Sequence, residues 1–247
     1  MEYKDSLSDD VSDSFLVAKI SAVKRFFKTF AEQDLDKNPA INVTLPKMKY
    51  ESKKVVIDNE AMEHILNNAK TAKSKTDRAR QYNSNYIARD TALLALLATT
   101  GIRIEPLVQI NIEDVDITNK TVKVTSKGDK TSIKMYDDEV AHYLEEYLLE
   151  REKIETDSRA LFLSNRHQRM HVNTARNIIN RLTDGLNQKI TPHKFRSSYG
   201  SKIYEATGDI NLVAELLDHS DVNTTRRAYV QVSEERLRNA TTVSILR

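Results

Sequence analysis

The sequence predicts a mainly α-helical fold with one small antiparallel β-sheet, on two observations. Apolar residues recur at helical spacing through most of the chain, and strand-like alternation is confined to residues 114–136. No internal repeat or low-complexity stretch interrupts this pattern.

The first helix is expected over Ser14–Gln33, where Phe15, Leu16, Ile20, Val23, Phe26, Phe27 and Phe30 share helical spacing. Pro39 and Pro46 then mark an extended stretch, the clearest linker in the chain. Asp58 suits the N-cap of a helix running to Ala69. Lys70–Asn83 reads as a polar loop with Lys70, Lys73, Lys75, Arg78 and Arg80. A strongly apolar helix, Asn85–Thr99, is closed by Gly101. Val115–Ile117, Thr121–Thr125 and Ser132–Tyr136 read as short strands, with a tight turn at Gly128-Asp129. Val122 and Val124 alternate with Lys123 and Thr125, as in a sheet with one wet face. From Asp137 the pattern is helical again, broken by the apolar stretch 161–164.

Composition narrows the function. The chain has 247 residues, 39% hydrophobic and 30% charged, enough for one core with a small partial domain. Without cysteine, disulfide frameworks and Cys-ligated metals are excluded. The longest apolar run, Ala92–Ala98, is too short for a bilayer, and the acidic N-terminus is no signal peptide, so a cytoplasmic protein is expected. Net charge is only +2, but it is segregated: Arg159–Lys202 holds nine Lys or Arg against one acid, Asp184. Lys120, Lys123, Lys127, Lys130 and Lys134 cluster about Asp129. Such segregation suits a basic face for a polyanion.

Three segments carry candidate chemistry. In Thr100-Gly101-Ile102-Arg103 an arginine directly follows a helix stop. In Thr191-Pro192-His193-Lys194-Phe195-Arg196, Pro192 opens a helix, and His193 and Arg196 at i and i+3 share a face. The third segment runs from Leu216-Leu217-Asp218-His219-Ser220 to Tyr229. Each residue alone fits a structural part, such as a paired arginine, a capping histidine or a core tyrosine; the combination is what stands out.

The combination resembles the tyrosine recombinase (phage integrase) family, most specifically across Thr99–Asp116, Thr191–Arg196 and Leu216–Val232. The resemblance implies a tyrosine recombinase catalytic domain, residues 47–247. A partial helical DNA-clamping domain with its linker, residues 1–46, precedes it. It further implies catalytic roles for Arg103, Lys127, His193, Arg196, His219 and Tyr229, with Lys127 identified from the SKGDK hairpin turn. The implied activity is site-specific recombination of double-stranded DNA through a 3′-phosphotyrosyl intermediate, with no metal and no ATP, by a homotetramer on paired sites. Accessory directionality factors are further partners to expect. The roles are physically coherent: a five-coordinate phosphorane gains negative charge, and two guanidiniums answer it with paired hydrogen bonds. Tyr229 is the nucleophile, His193 the acceptor of its proton, His219 a further donor, and Lys127 the proton donor to the leaving 5′-oxygen.

Some features depart from the family pattern. Asp218 stands where Gly is usual, Ser197 where a second His is common, and His219 and Tyr229 are one residue further apart than in many members. These set the chain apart from Xer proteins within the family. The clamping domain is only half present, which is read as a truncation; DNA affinity should then be weaker and less salt-dependent than with an intact clamp.

Further DNA contacts are expected from Val172–Leu186, an amphipathic helix in which Asn173, Arg176 and Arg181 face outward behind Arg166 and Arg169. Lys24, Arg25 and Lys28 on the first helix are candidates of the same kind. Residues 233–247 suit a helix that, by the resemblance, docks on a neighbouring subunit. A relaxing topoisomerase or hairpin-forming resolvase with the same chemistry, and a noncatalytic DNA-binding regulator, are the alternatives; the complete residue set weighs against the last.

Overall fold

The computed structural model describes residues 13–31, 39–45, 56–126 and 128–219, together with Val222, Thr225 and Tyr229. The chain divides into two compact units, Met1–Lys54 and Val55–Arg247. In the first, helix α1 (Asp13–Ala31) buries Leu16 and Ile20, and Phe26 packs its ring against Phe27 and Phe30.

The second unit is built around helix α4 (Ile87–Thr100), in which every residue from Ala88 to Leu97 is buried. A helix apolar all round must be enclosed by others. Here α2 (Asn59–Lys70), α6 (Asp138–Glu152) and α8 (Pro192–Thr207) pack on it. Short α5 (Ile104–Gln109) leads into a three-stranded antiparallel sheet ordered β1 (Val115–Asp116), β2 (Thr121–Ser126), β3 (Lys130–Met135). Helix α7 (Val172–Leu182) packs on α5 and α2, and α9 (Ile210–Leu216) on α8. Side-chain caps start the helices, at Asp58 as expected from the sequence and at two further aspartates. Asp58 accepts from Ala61 N at 2.7 Å, Asp137 from Val140 N at 3.0 Å, and Asp209 from Asn211 N at 2.8 Å. Ser198 of α8 accepts from the Ile57 amide at 2.8 Å, tying the entry of this unit to the helix that carries Arg196.

The mainly α class with a small antiparallel sheet is observed. One expectation is corrected: the polar stretch Lys70–Asn83 is not all loop, because Asp77–Ser84 forms helix α3. Thr76 caps it, accepting from Ala79 N at 3.2 Å, but none of its residues is buried, so it lacks the apolar period that would announce it. Helix α7 stops at Leu182 rather than Leu186, where Thr183 turns its hydroxyl back to the Ile179 carbonyl. Residues 233–247 lie outside the described residues. Among the described residues no helix is long and apolar enough to cross a membrane.

Candidate active site

Three segments of the second unit meet around one cleft of about 700 Å³: the stretch from Arg103 to Pro106, the hairpin through Ser126 and Ser132, and the pair Asp218-His219. Gly101 closes α4 in the left-handed conformation, φ 64°. A Cβ there would lie 2.7 Å from Tyr199 Cδ1 and 2.8 Å from Leu217 Cδ2, so glycine is required for space as well as for φ. The turn it makes possible delivers Arg103 to the N-cap position of α5, exposed and making no side-chain cap.

Arg196 sits on the inner side of α8, 4% exposed. Its Nη1 donates to the Gly101 carbonyl at 2.6 Å and its Nη2 to the Leu217 carbonyl. The two acceptors are helix-terminal carbonyls of α4 and α9, so one guanidinium locks two helix ends together while keeping its charge beside Arg103. Burial first, and then Arg103, pull its pKa down to about 10, which leaves it a cation at neutral pH.

His219 follows α9 and is half-buried, with Nδ1 2.7 Å from the hydroxyl of fully buried Thr225. Burial, followed by Arg196 and Arg103, holds the ring's pKa down to about 4; Asp218 opposes this, and His193 adds to it. The imidazole is therefore neutral at pH 7. Its folded pKa lies below the usual value of about 6.5, so the folded state binds fewer protons than the unfolded one. The associated stability is complete above about pH 6.5 and is lost as pH falls through about 4. Thermal melts between pH 7 and 4 are expected to show acid destabilisation that His219→Gln reduces; identical pH profiles would refute the assignment.

Tyr229 is half-buried against α8. A Cβ at Gly200 would fall 2.7 Å from both Cζ and Oη of Tyr229, so this phenol rests on bare backbone one helical turn beyond Arg196. Burial pushes the phenol's pKa up, and the Arg196 charge draws it back down. Gly200→Ala is expected to displace the ring, at a cost of about 1–3 kcal/mol from overpacking. The phenol's titration should then move down toward about 10, readable by NMR of labelled tyrosine Cζ. An unchanged titration would show that the ring does not rest there.

The structure thus brings Arg103, Arg196, His219 and Tyr229 into one electrostatic neighbourhood, with His193 exposed in the first turn of α8 and near enough to act on His219. Lys127 lies outside the described residues; its neighbours Ser126 and Lys130 line the same cleft. Sequence reasoning missed three participants. Gly200 gave no signal, being a mid-helix glycine, and Thr225 stood inside the third motif without a role assigned to it. Lys134 was seen only as part of a basic cluster. It is 5% exposed, donates to the Leu216 carbonyl at 2.7 Å, and pairs with Asp218 Oδ2 at 2.7 Å. Its pKa is lowered chiefly by burial, with Asp218 opposing and Arg196 and Arg103 adding to the fall.

The expected DNA-contact residues divide. Arg25, Lys28, Arg166, Asn173 and Arg176 are exposed, with Asn173 Oδ1 accepting from Arg176 at 3.1 Å and Arg176 3.7 Å from Glu105. Three others are engaged inside the fold, contrary to an outward reading. Lys24 donates to the Val43 carbonyl at 2.8 Å, and Arg169 to the Val108 carbonyl at 2.9 Å and to Asn111. Arg181 pairs with the buried carboxylate of Asp90, which also holds Arg89 at 2.8 Å. A buried carboxylate requires cations, and unpaired carbonyls near a helix end require donors, so these basic side chains turn inward.

Residues 55–236 match the family model described as the phage integrase family. The chain belongs to that family. As a tyrosine recombinase it is similar to tyrosine recombinase XerC of Leptospira interrogans serovar copenhageni, 30% identical over 223 residues that cover 89% of this chain and 68% of that protein. It is also similar to tyrosine recombinase XerD of Staphylococcus haemolyticus, 32% identical over 241 residues, 94% of this chain and 77% of that one. Among solved structures, XerA recombinase superposes with a TM-score of 0.63 at 28% identity, covering all of this chain and 82% of that one. XerH bound to its difH substrate shares the fold, with a TM-score of 0.75 at 23% identity over 98% of this chain and 68% of that one. The expectation drawn from Ser197 and Asp218, that the chain stands apart from Xer proteins, is corrected: Xer recombinases are among its relatives, at about 30% identity.

Proposed function

We propose that this recombinase cuts and rejoins double-stranded DNA at specific sites through a 3′-phosphotyrosyl intermediate, using neither metal nor ATP. The observation that supports the reading is the meeting of Arg103, Arg196, His219 and Tyr229 from segments 126 positions apart in sequence, first to last (229 − 103). A phosphodiester entering the cleft brings a negative charge to two arginines that otherwise repel each other, so its binding relieves that repulsion. Tyr229 Oη attacks phosphorus and yields its proton to His193, while the bond to the 5′-oxygen breaks and that oxygen takes a proton from Lys127. Arg103 and Arg196 hold the nonbridging oxygens, and His219 donates a further hydrogen bond from Nε2, with Thr225 at Nδ1 setting its tautomer. A 5′-hydroxyl from the partner strand reverses the step and releases the tyrosine. The phosphotyrosyl bond conserves the energy of the broken linkage, so no nucleotide cofactor is needed.

Four such sites acting on paired DNA, as a homotetramer with accessory proteins setting direction, and a cytoplasmic location complete the reading. The exposed residues Arg166, Asn173 and Arg176 are the contacts we assign to DNA beyond the cleft, with Arg25 and Lys28 on the first unit.

The test uses a pool of nicked duplexes with randomised flanks, incubated with the full chain and then denatured. A protein–DNA species resistant to denaturant is expected, and sequencing of the captured DNA then gives the site. Relaxation of supercoiled plasmid without exchange between two copies of that site would favour a topoisomerase over a recombinase.

A further inference from the structure

Strand β3 is folded inside out. Cross-strand pairing sets Val122 opposite Lys134 and Val124 opposite Ser132, so the buried face of the hairpin carries a lysine and a serine. The apolar residues of the same strand face out: Ile133 is 69% and Met135 77% exposed, against 5% for Lys134. Hydrophobic burial alone favours the opposite arrangement.

A competing register is close at hand. The observed pairing of Ser126 with Lys130 leaves three residues, 127–129, between the strands. A slip by one, pairing 127 with 130, would set Ile133 opposite Val124 and Met135 opposite Val122, and would move Lys134 to the wet face beside Lys123. It needs only a two-residue turn with positive φ at both positions, and Gly128 (φ 81°) and Asp129 (φ 55°) already have that conformation. The turn does not select the register that is observed, and within β3 the apolar pattern opposes it, although Tyr136 just beyond the strand, 7% exposed, lies in phase with Lys134.

What selects it reaches in from outside the sheet. Lys134 Nζ is held by Asp218 Oδ2 and by the Leu216 carbonyl, each at 2.7 Å, and Ser132 Oγ lies 3.3 Å from the same carboxylate oxygen. Asp218 adopts φ 50°, a conformation a non-glycine residue takes at some cost, which its ties to β3 offset. It stands between Leu217, whose carbonyl holds Arg196, and His219. Lys134 and Arg196 are therefore bound to successive carbonyls at the end of α9.

We propose that Lys134 and Asp218 are positioning residues: their buried ion pair fixes the register of the β2–β3 hairpin against the Arg196–His219 cluster and so sets where Lys127 stands. A slip by one would bring residue 127 opposite Lys130, so the register decides which way that side chain is directed. This rests on the reading of Lys127 as the proton donor to the leaving oxygen.

The experiment uses the leaving atom. The nicked duplex pool is made twice, once with the ordinary 5′-oxygen and once with sulfur at that bridging position, because a thiolate departs without being protonated. Wild type should form adduct from both, and Lys127→Ala should fail on oxygen while retaining activity on sulfur. Lys134→Ser, and Lys134→Ser combined with Asp218→Gly, which leaves neither an unpaired buried charge nor an apolar side chain to hold the old register, are expected to lose on the order of 10²-fold on oxygen. Both should recover to within about threefold of wild type on sulfur, as expected when only the proton donor is misplaced. Full activity on oxygen, or equal losses on both duplexes, would overturn the proposal, the second by showing that the pair acts on the arginine clamp or on folding. No adduct from wild type on either duplex would instead overturn the proposed function and this inference with it. In the double variant, cross-strand NMR contacts are expected to move from Val122–residue 134 to Val122–Met135; an unmoved register would equally refute the lock.

Discussion

Tyr229→Phe is expected to form no denaturant-resistant adduct with the nicked duplex pool, a loss on the order of 10³-fold or more, because the attacking oxygen itself is removed. The substitution keeps the ring that rests on Gly200 and deletes only the hydroxyl, so folding should change little. DNA binding in a mobility-shift assay should also persist, since the arginines remain. Adduct formation by the phenylalanine variant at the wild-type level would remove Tyr229 from the mechanism and leave the arginine cluster as a phosphate-binding site alone.

The second large effect separates two arginines that the sequence presents as equals. Arg103→Ala should leave the melting temperature nearly unchanged, within about 0.5 kcal/mol of wild type, because the side chain is exposed and caps nothing. Its adduct yield should nonetheless fall on the order of 10²- to 10³-fold, the usual consequence of removing one donor to a developing charge. Arg196→Ala should lose activity and also stability. It leaves the Gly101 and Leu217 carbonyls without their buried donor, at about 1–3 kcal/mol each, and unlocks α4 from α9. Arg196→Lys should restore little of either, because one ammonium on a flexible stem does not reproduce a planar fork to two fixed acceptors. Paired thermal melts and adduct assays check both; equal stability losses for Arg103→Ala and Arg196→Ala would contradict the geometry.

The same contrast shows what the sequence reveals about this recombinase. The resemblance of three short motifs to the family singled out Arg103, His193, Arg196, His219 and Tyr229, and the helix stop, the proline at a helix start and the i,i+3 pair within those motifs are local facts that the backbone must obey. Local signals also located the enclosed helix α4, the cap at Asp58, the start of helix α6 after Asp137, and the β2–β3 hairpin. They failed at helix α3, which buries nothing and so carries no period. They failed again at Lys24, Arg169 and Arg181, where a basic residue on a polar face looks the same whether its partner is a phosphate or a carbonyl folded back from elsewhere.

By itself, then, the sequence determined the class of fold and most of its elements, since propensity, periodicity and capping act over a few neighbouring positions, and its motifs singled out the residues to which we assign the chemistry. Only the tertiary structure decided which cations are engaged internally, which glycine makes room for Tyr229, and that Lys134 rather than Ile133 or Met135 faces inward. The partners lie far along the chain in the clearest cases: Lys134 reaches the Leu216 carbonyl, 82 positions away, and Arg196 the Gly101 carbonyl, 95 positions away. A local pattern holds no record of an acceptor that distant, because burial and hydrogen-bond satisfaction are settled only when the chain has closed around them.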